Sequence, residues 1–157
     1  MTELQKLIDQ KEITPLKLSK LSGVHLRTVE KYLSQDGPYY VRGRLRVYWK
    51  LAQTLKVDVE QLLLGGLWLP NNGARREAIS LSDAIQAKAD SQGVAICAVN
   101  NTLRGILDIN DYQTLSQYCH YYWAPDICTA LQISTYLNYT IDALWGDYFR
   151  RMTDERP

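Results

Sequence analysis

The segment Leu18-Ser19-Lys20-Leu21-Ser22-Gly23-Val24-His25-Leu26-Arg27-Thr28-Val29 holds two short helical pieces separated by a glycine. Upstream, Thr14-Pro15 supplies an oxygen-bearing N-cap followed by proline at the first helical position, where its missing N–H costs nothing. Leu18 and Leu21 give that helix its buried side. Gly23 stands where a tight corner needs positive φ, and Val24 follows as an apolar plug. The next helix runs from about Leu26 to Ser34 and buries Val29 with Leu33 or Tyr32, until the turn formers Asp36-Gly37-Pro38 end it.

Working outward, Thr2 with Gln5 makes a capping-box start, and Leu4, Leu7 and Ile8 lay one apolar stripe on a first helix. A fourth helix carries Leu45, Tyr48, Trp49, Ala52 and Leu55. A fifth begins at Asp58, with Gln61 three residues on, and buries Leu62 and Leu63. Nowhere does apolar and polar character alternate with the period of a strand, so the fold class is all-α.

Two blocks carry a resemblance. The run Leu18 to Val29, followed by Leu51-Ala52-Gln53-Thr54-Leu55-Lys56-Val57-Asp58-Val59-Glu60-Gln61-Leu62-Leu63, resembles the Cro/repressor-type (XRE-like) helix-turn-helix family over about residues 2–66. In that family small Ser19 lets two helices approach, Gly23 makes the turn, and the exposed residues of the next helix enter the major groove of DNA. Where the family usually has glutamine in the first turn of its second helix, this chain has Pro15.

The resemblance puts His25, Arg27, Thr28 and Lys31 against base edges. An arginine fork at Arg27 can bond guanine O6 and N7 together, for about 1–3 kcal/mol of discrimination, and Thr28 suits a thymine methyl or a phosphate. Arg27 and Lys31 also fit a solvated face around Glu30, and His25 also fits a helix cap. Candidate phosphate contacts are Thr14, Lys17, Tyr39, Tyr40, Arg42, Arg44, Arg46 and Lys50. In a helix Arg42, Arg46 and Lys50 share a face by their i, i+4 spacing and Arg44 points elsewhere, either as a phosphate clamp or as a solvated stripe. Four such contacts give a slope of about −3.6 in log K against log salt.

The second half repeats the first at a displacement of 82: Tyr39-Tyr40 recurs as Tyr121-Tyr122, Leu33-Ser34-Gln35 as Leu115-Ser116-Gln117, Leu21-Ser22-Gly23-Val24 as Leu103-Arg104-Gly105-Ile106, and Leu55 with Leu62 as Leu137 with Leu144. Thr140 takes the capping position of Asp58. Between Gly105 and Leu115 a shift of one to four residues, with Asn110 capping through Gln113, keeps Asp111 out of the place of buried Val29. The expected organisation is two tandem five-helix helix-turn-helix domains: 1–66 for DNA, 67–79 a linker dense in Gly, Pro and Asn, and a degenerate copy at 80–157. The copy's reading segment, Asn110-Asp111-Tyr112-Gln113, has no cation, and Asp111 repels phosphate. Its aromatic surplus, Tyr112, Tyr118, Tyr121, Tyr122, Trp123, Tyr136, Tyr139, Trp145, Tyr148 and Phe149, serves either its core or a contact surface for self-association or a protein partner.

The 157 residues carry 18 Lys and Arg against 17 Asp and Glu, a balance that hides an asymmetry. Residues 1–66 hold 11 cationic and 7 acidic side chains, and residues 67–157 hold 7 and 10, so the polyanion-binding candidate is the first half. The longest apolar run, Val94 to Val99, is far too short to cross a bilayer, and Met1–Lys11 lacks the apolar core of a secretory signal; the expectation is a cytoplasmic protein with no membrane span. Cys97, Cys119 and Cys128 suit reduced, buried or partly buried thiols. The Cys119-His120 pair with Cys128 has no common metal spacing, and no Ser/His/Asp set, phosphate-cradling glycine loop or HExxH motif is present; neither a metal, a cofactor nor an enzyme activity is expected. The function implied is a sequence-specific DNA-binding transcriptional regulator, a repressor, bound to double-stranded DNA either as a homodimer on a palindromic operator or as a monomer using both copies in tandem on an asymmetric one. The alternative is a protein-interaction adaptor, antitoxin-like or a phage or plasmid accessory protein, that keeps the helix-turn-helix fold.

Overall fold

The structure is a computed structural model that describes residues 2–34, 44–64, 74–109 and 112–154. Among these the chain is helical, with ten helices and no extended strand, and it divides into two compact units, Met1–Leu69 and Pro70–Pro157.

The first unit holds α1 (Glu3–Gln10), α2 (Pro15–Ser22), α3 (Leu26–Ser34), α4 (Leu45–Leu55) and α5 (Val59–Leu64). Thr2 caps α1 by accepting the Gln5 N–H at 3.1 Å, and Thr14 caps α2 by accepting the Lys17 N–H at 3.2 Å. Each cap satisfies one amide that the first helical turn leaves without a partner. Helix α2 ends at Gly23, whose φ of 74° is left-handed backbone that an L side chain resists. Ser19 then donates its hydroxyl to the Val24 carbonyl at 2.6 Å, and Val24 is 6% exposed.

Helix α2 packs on α3 and α4, α4 on α5, and α1 on both α3 and α5. Their shared core is Leu4, Leu7 and Ile8 from α1, Leu18, Val29 and Tyr32 from α2 and α3, and Leu45, Tyr48, Trp49, Leu51, Ala52, Leu55, Val59, Leu62 and Leu63 from the last pair. The expectation that Leu21 shares this core fails: it is 60% exposed. Helix α2 is only eight residues long and Leu18 is its one buried side chain; Leu21, about 60° round from Leu18 and in the last turn, lies at the margin of the packed face and stays in solvent. In α3 it is Tyr32 rather than Leu33 that is buried; its ring lies 5.0 Å from that of Tyr48, and burial beside Tyr32 pushes the Tyr48 phenol above its ordinary pKa.

The second unit holds α6 (Leu81–Gln92), α7 (Ile96–Leu107), α8 (Tyr112–Cys119), α9 (Ile127–Leu137) and α10 (Ile141–Asp154). Helix α7 packs on α8 and α9, α9 on α10, and α6 on α8, four of the five pairings of the first unit by chain order; α6 also packs on α7 and α9. Of the segment 67–79, residues 67–73 lie outside the described residues, and residues 74–79 are tied into this unit. The Arg75 N–H donates to the Asn138 carbonyl, the Thr140 N–H to the Arg75 carbonyl, and the Ile79 N–H to the Ala143 carbonyl, at 2.9, 2.9 and 3.1 Å.

The displacement of 82 holds where the last two helices meet. Helices α4 and α9 are both 11 residues long and end in left-handed residues, Lys56 (φ 58°) and Asn138 (φ 62°). The next residue in each, Val57 or Tyr139, donates its N–H five residues back, to Ala52 at 3.1 Å or Ser134 at 3.3 Å. Thr140 accepts the Ala143 N–H at 3.1 Å and so caps α10. The displacement fails at Gly105, which is an ordinary residue inside α7 and not a corner. Helix α7 is four residues longer than α2, and the left-handed residue that ends it is Asp108 (φ 55°), three beyond Gly105. Among the described residues the positive-φ glycine of this unit is Gly93 (φ 65°), between α6 and α7, and the pair Gly93-Val94 repeats Gly23-Val24 in sequence.

Candidate nucleic-acid interface

The outward face of α3 follows from its inward one. With Val29 fully buried and Tyr32 at 8% exposure, Arg27, Glu30, Lys31 and Ser34 recur at i, i+3, i+4 and i+7 on the exposed side. Arg27 and Lys31 therefore share one stripe one turn apart, with Glu30 beside them, while Thr28 is half-buried at its flank. His25 is exposed and its Nδ1 accepts the Arg27 N–H at 3.2 Å, so the imidazole acts as a cap for the helix that presents Arg27. That bond needs Nδ1 unprotonated.

Helix α2 adds cations on the side where it is not packed. Thr14 and Lys17 are exposed at its start, and Lys20, which charge and spacing alone did not single out, is exposed in its last turn. Arg44 is the exposed N-cap of α4, and its backbone N–H donates to the Tyr32 hydroxyl at 3.0 Å, which ties the start of α4 to α3. Helix α4 begins at Leu45, so within it the i, i+4 face comprises Arg46 and Lys50, both half-buried. Tyr39, Tyr40 and Arg42 lie outside the described residues.

The corresponding surface of the second unit is different in kind. Helix α8 contains no lysine or arginine and Gln113 is exposed on it; Asn110 and Asp111 lie outside the described residues. The aromatics separate by burial. Tyr139, Trp145 and Phe149 belong to the core, Tyr118, Tyr136 and Tyr148 are half-buried, and Tyr122 and Trp123 are 67% and 48% exposed. Tyr121 is a structural tie: its hydroxyl accepts the Leu81 N–H at 2.8 Å and donates to the Leu144 carbonyl at 2.7 Å, joining α6 to α10. Two of the three thiols depart from expectation: Cys97 and Cys128 are exposed, and only Cys119 is partly covered, which pushes its thiol pKa up.

Among the described residues no three His, Cys, Asp or Glu gather where they could hold a metal ion, and no helix is long and apolar enough to cross a membrane. The candidate surface is thus the pair α2 and α3, whose corner is fixed by one glycine and one serine hydroxyl and whose exposed residues include Lys17, Lys20, Arg27 and Lys31. Compared with known proteins, the chain matches no family model, no curated protein and no solved structure.

Proposed function

We propose that the chain is a sequence-specific DNA-binding transcriptional regulator of the Cro/repressor (XRE-like) type, a repressor that works in the cytoplasm on double-stranded DNA. The observation that carries this reading is the corner at Gly23: two short helices meet there, and the second turns Val29 and Tyr32 inward while Arg27 and Lys31 face out. A helix so mounted fits the major groove with its first turns against base edges. Arg27 is the residue assigned to base reading, with Lys31 and Thr28 beside it. Thr14, Lys17, Arg44, Arg46 and Lys50 are assigned to phosphates, which position the protein without reading sequence. Glu30 opposes phosphate and limits how deep the helix sits.

The second unit serves assembly. A symmetric dimer formed through it spaces two copies of α3 by about 34 Å on one face of the duplex, and the operator is then a palindrome. Exposed Tyr122 and Trp123 supply large amphipathic anchors for such a contact. The same two side chains favour a second reading, an adaptor that acts through a protein partner. Arg27→Ala combined with Lys31→Ala separates the two. Loss of DNA binding together with loss of function supports the regulator; function that survives loss of both cations supports the adaptor.

A further inference from the structure

We propose that the recess between α6 and the α9–α10 corner is a phosphate-binding site, which takes the phosphate group of a small phosphorylated molecule or of a DNA backbone. The recess has a volume of about 120 Å³ and is lined by Arg75, Ala87, Lys88, Ser91, Leu137, Asn138 and Tyr139. It carries two cations and no carboxylate, in a half of the chain that is acidic overall.

Both cations are held by means other than ion pairing. Arg75 is fastened at the corner by its own backbone, whose N–H and carbonyl bond to Asn138 and Thr140 at 2.9 Å each. Its guanidinium lies 5.8 Å from the centre of the Tyr139 ring and donates one N–H to the Tyr139 hydroxyl at 3.3 Å. The Lys88 ammonium lies 4.9 Å from the centre of the Tyr136 ring. An aromatic face attracts a cation through its quadrupole without using up its N–H donors. Arg75 therefore keeps most of its five donors and Lys88 its three, all of which seek acceptors. The Ser91 hydroxyl donates to the Lys88 carbonyl at 2.8 Å, so the cations carry the recognition and Ser91 the wall.

Charge excludes the alternatives. A cation meets two like charges with no counter-charge in the lining, and a neutral apolar ligand offers neither exposed Arg75 nor half-buried Lys88 an acceptor. An oxyanion satisfies them with charge-assisted bonds, and the volume suits one tetrahedral group with a few waters. A larger recess of about 550 Å³ in the same unit makes the contrast: Arg150 and Arg151 line it together with Asp83 and Asp147, and Arg150 is spent on Asp147 at 2.9 Å. The proposal stands whether or not the first unit reads DNA.

The test is titration of the full chain with inorganic phosphate at constant ionic strength, followed by backbone amide NMR shifts. Saturable shifts at Arg75, Ser91 and Asn138 are expected, weakened about tenfold or more by Arg75→Gln and by Lys88→Gln separately. Unmoved amide shifts elsewhere in α6 and α9 show that these variants are folded. The source then follows from two arms. If the double variant loosens a random-sequence duplex and flattens its salt slope by about 2, the phosphate is that of the DNA backbone. If duplex binding is unchanged while a phosphomonoester such as phosphoserine saturates the site, it is that of a small molecule. Shifts that rise linearly without saturation, or saturable shifts indifferent to both substitutions, overturn the proposal.

Discussion

Replacing Gly23 and Gly105 by alanine, one at a time, pushes stability in opposite directions. Gly23 has a φ of 74°, where an L residue pays about 1–2 kcal/mol, partly offset by the lower unfolded-state entropy of alanine, about 0.4–1 kcal/mol. Space is not at issue, since an added Cβ there meets nothing within 4 Å. Gly23→Ala should therefore destabilise the first unit by roughly 1 kcal/mol through backbone strain alone. Gly105 sits inside α7 at ordinary helical φ, and its added Cβ likewise meets nothing within 4 Å. There alanine should stabilise the second unit by roughly 0.5–1 kcal/mol, because glycine weakens a helix interior. Urea unfolding followed by resolved NMR signals reads the two units separately. A loss at position 105 equal to that at 23 would refute the reasoning, because it would mean that Gly105 is the corner of the second unit, as the unbroken displacement of 82 has it.

Further expectations rest on single atoms. Ser19→Ala deletes the 2.6 Å bond to the Val24 carbonyl and should cost the first unit about 1 kcal/mol in urea unfolding, whereas Ser134→Ala leaves the Tyr139 carbonyl short of its 2.6 Å donor in a fully buried place and should cost the second unit about 1–3 kcal/mol. Tyr121→Phe removes both the acceptor for Leu81 and the donor to Leu144, and should also lower the urea midpoint of the second unit by an amount worth about 1–3 kcal/mol. Towards a thiol reagent at neutral pH, Cys97 and Cys128 should react fast and Cys119 slowly. Burial raises the Cys119 pKa, so its thiolate fraction is depressed, and its rate should climb as pH rises; three equal rates would contradict the burial assigned to it.

The parts of the fold that were legible in sequence are those where one residue type has one physical use. Thr2, Thr14, Thr140 and Gly23 act locally, through a hydroxyl near an orphan amide or through a missing Cβ, and all four sit where that logic puts them. The α4–α5 and α9–α10 pairs kept their spacing because α4 and α9 keep the same length. What misled was length change inside the repeat. Helix α7 gained four residues over α2 and closes on Asp108, a residue that tolerates left-handed backbone without advertising it as glycine does, while Gly105 advertised a corner it does not make. Leu21 misled differently. Its apolar character says nothing of which way an eight-residue helix rolls, and single exposed leucines are ordinary on protein surfaces.

The candidate site was legible as charge and spacing rather than as contact. Arg27 and Lys31 are one turn apart in sequence and one stripe in structure. His25 had two readings, and the one displayed is the cap, through an Nδ1 bond that no residue pattern announces. Arg75 and Lys88 carry no sequence signal as a pair, because they stand 13 residues apart and meet only where Arg75 pairs with the α9–α10 corner.

The most direct measurement of the central claim is selection of bound duplexes from random DNA at about 0.15 M salt, followed by titration of the selected site with the intact chain and with the Arg27→Ala, Lys31→Ala double variant. A recurring sequence, bound with a salt slope near about −3.6 and lost in the double variant, is what the account predicts. No enriched sequence, with titrations that stay flat even at low salt, would contradict it.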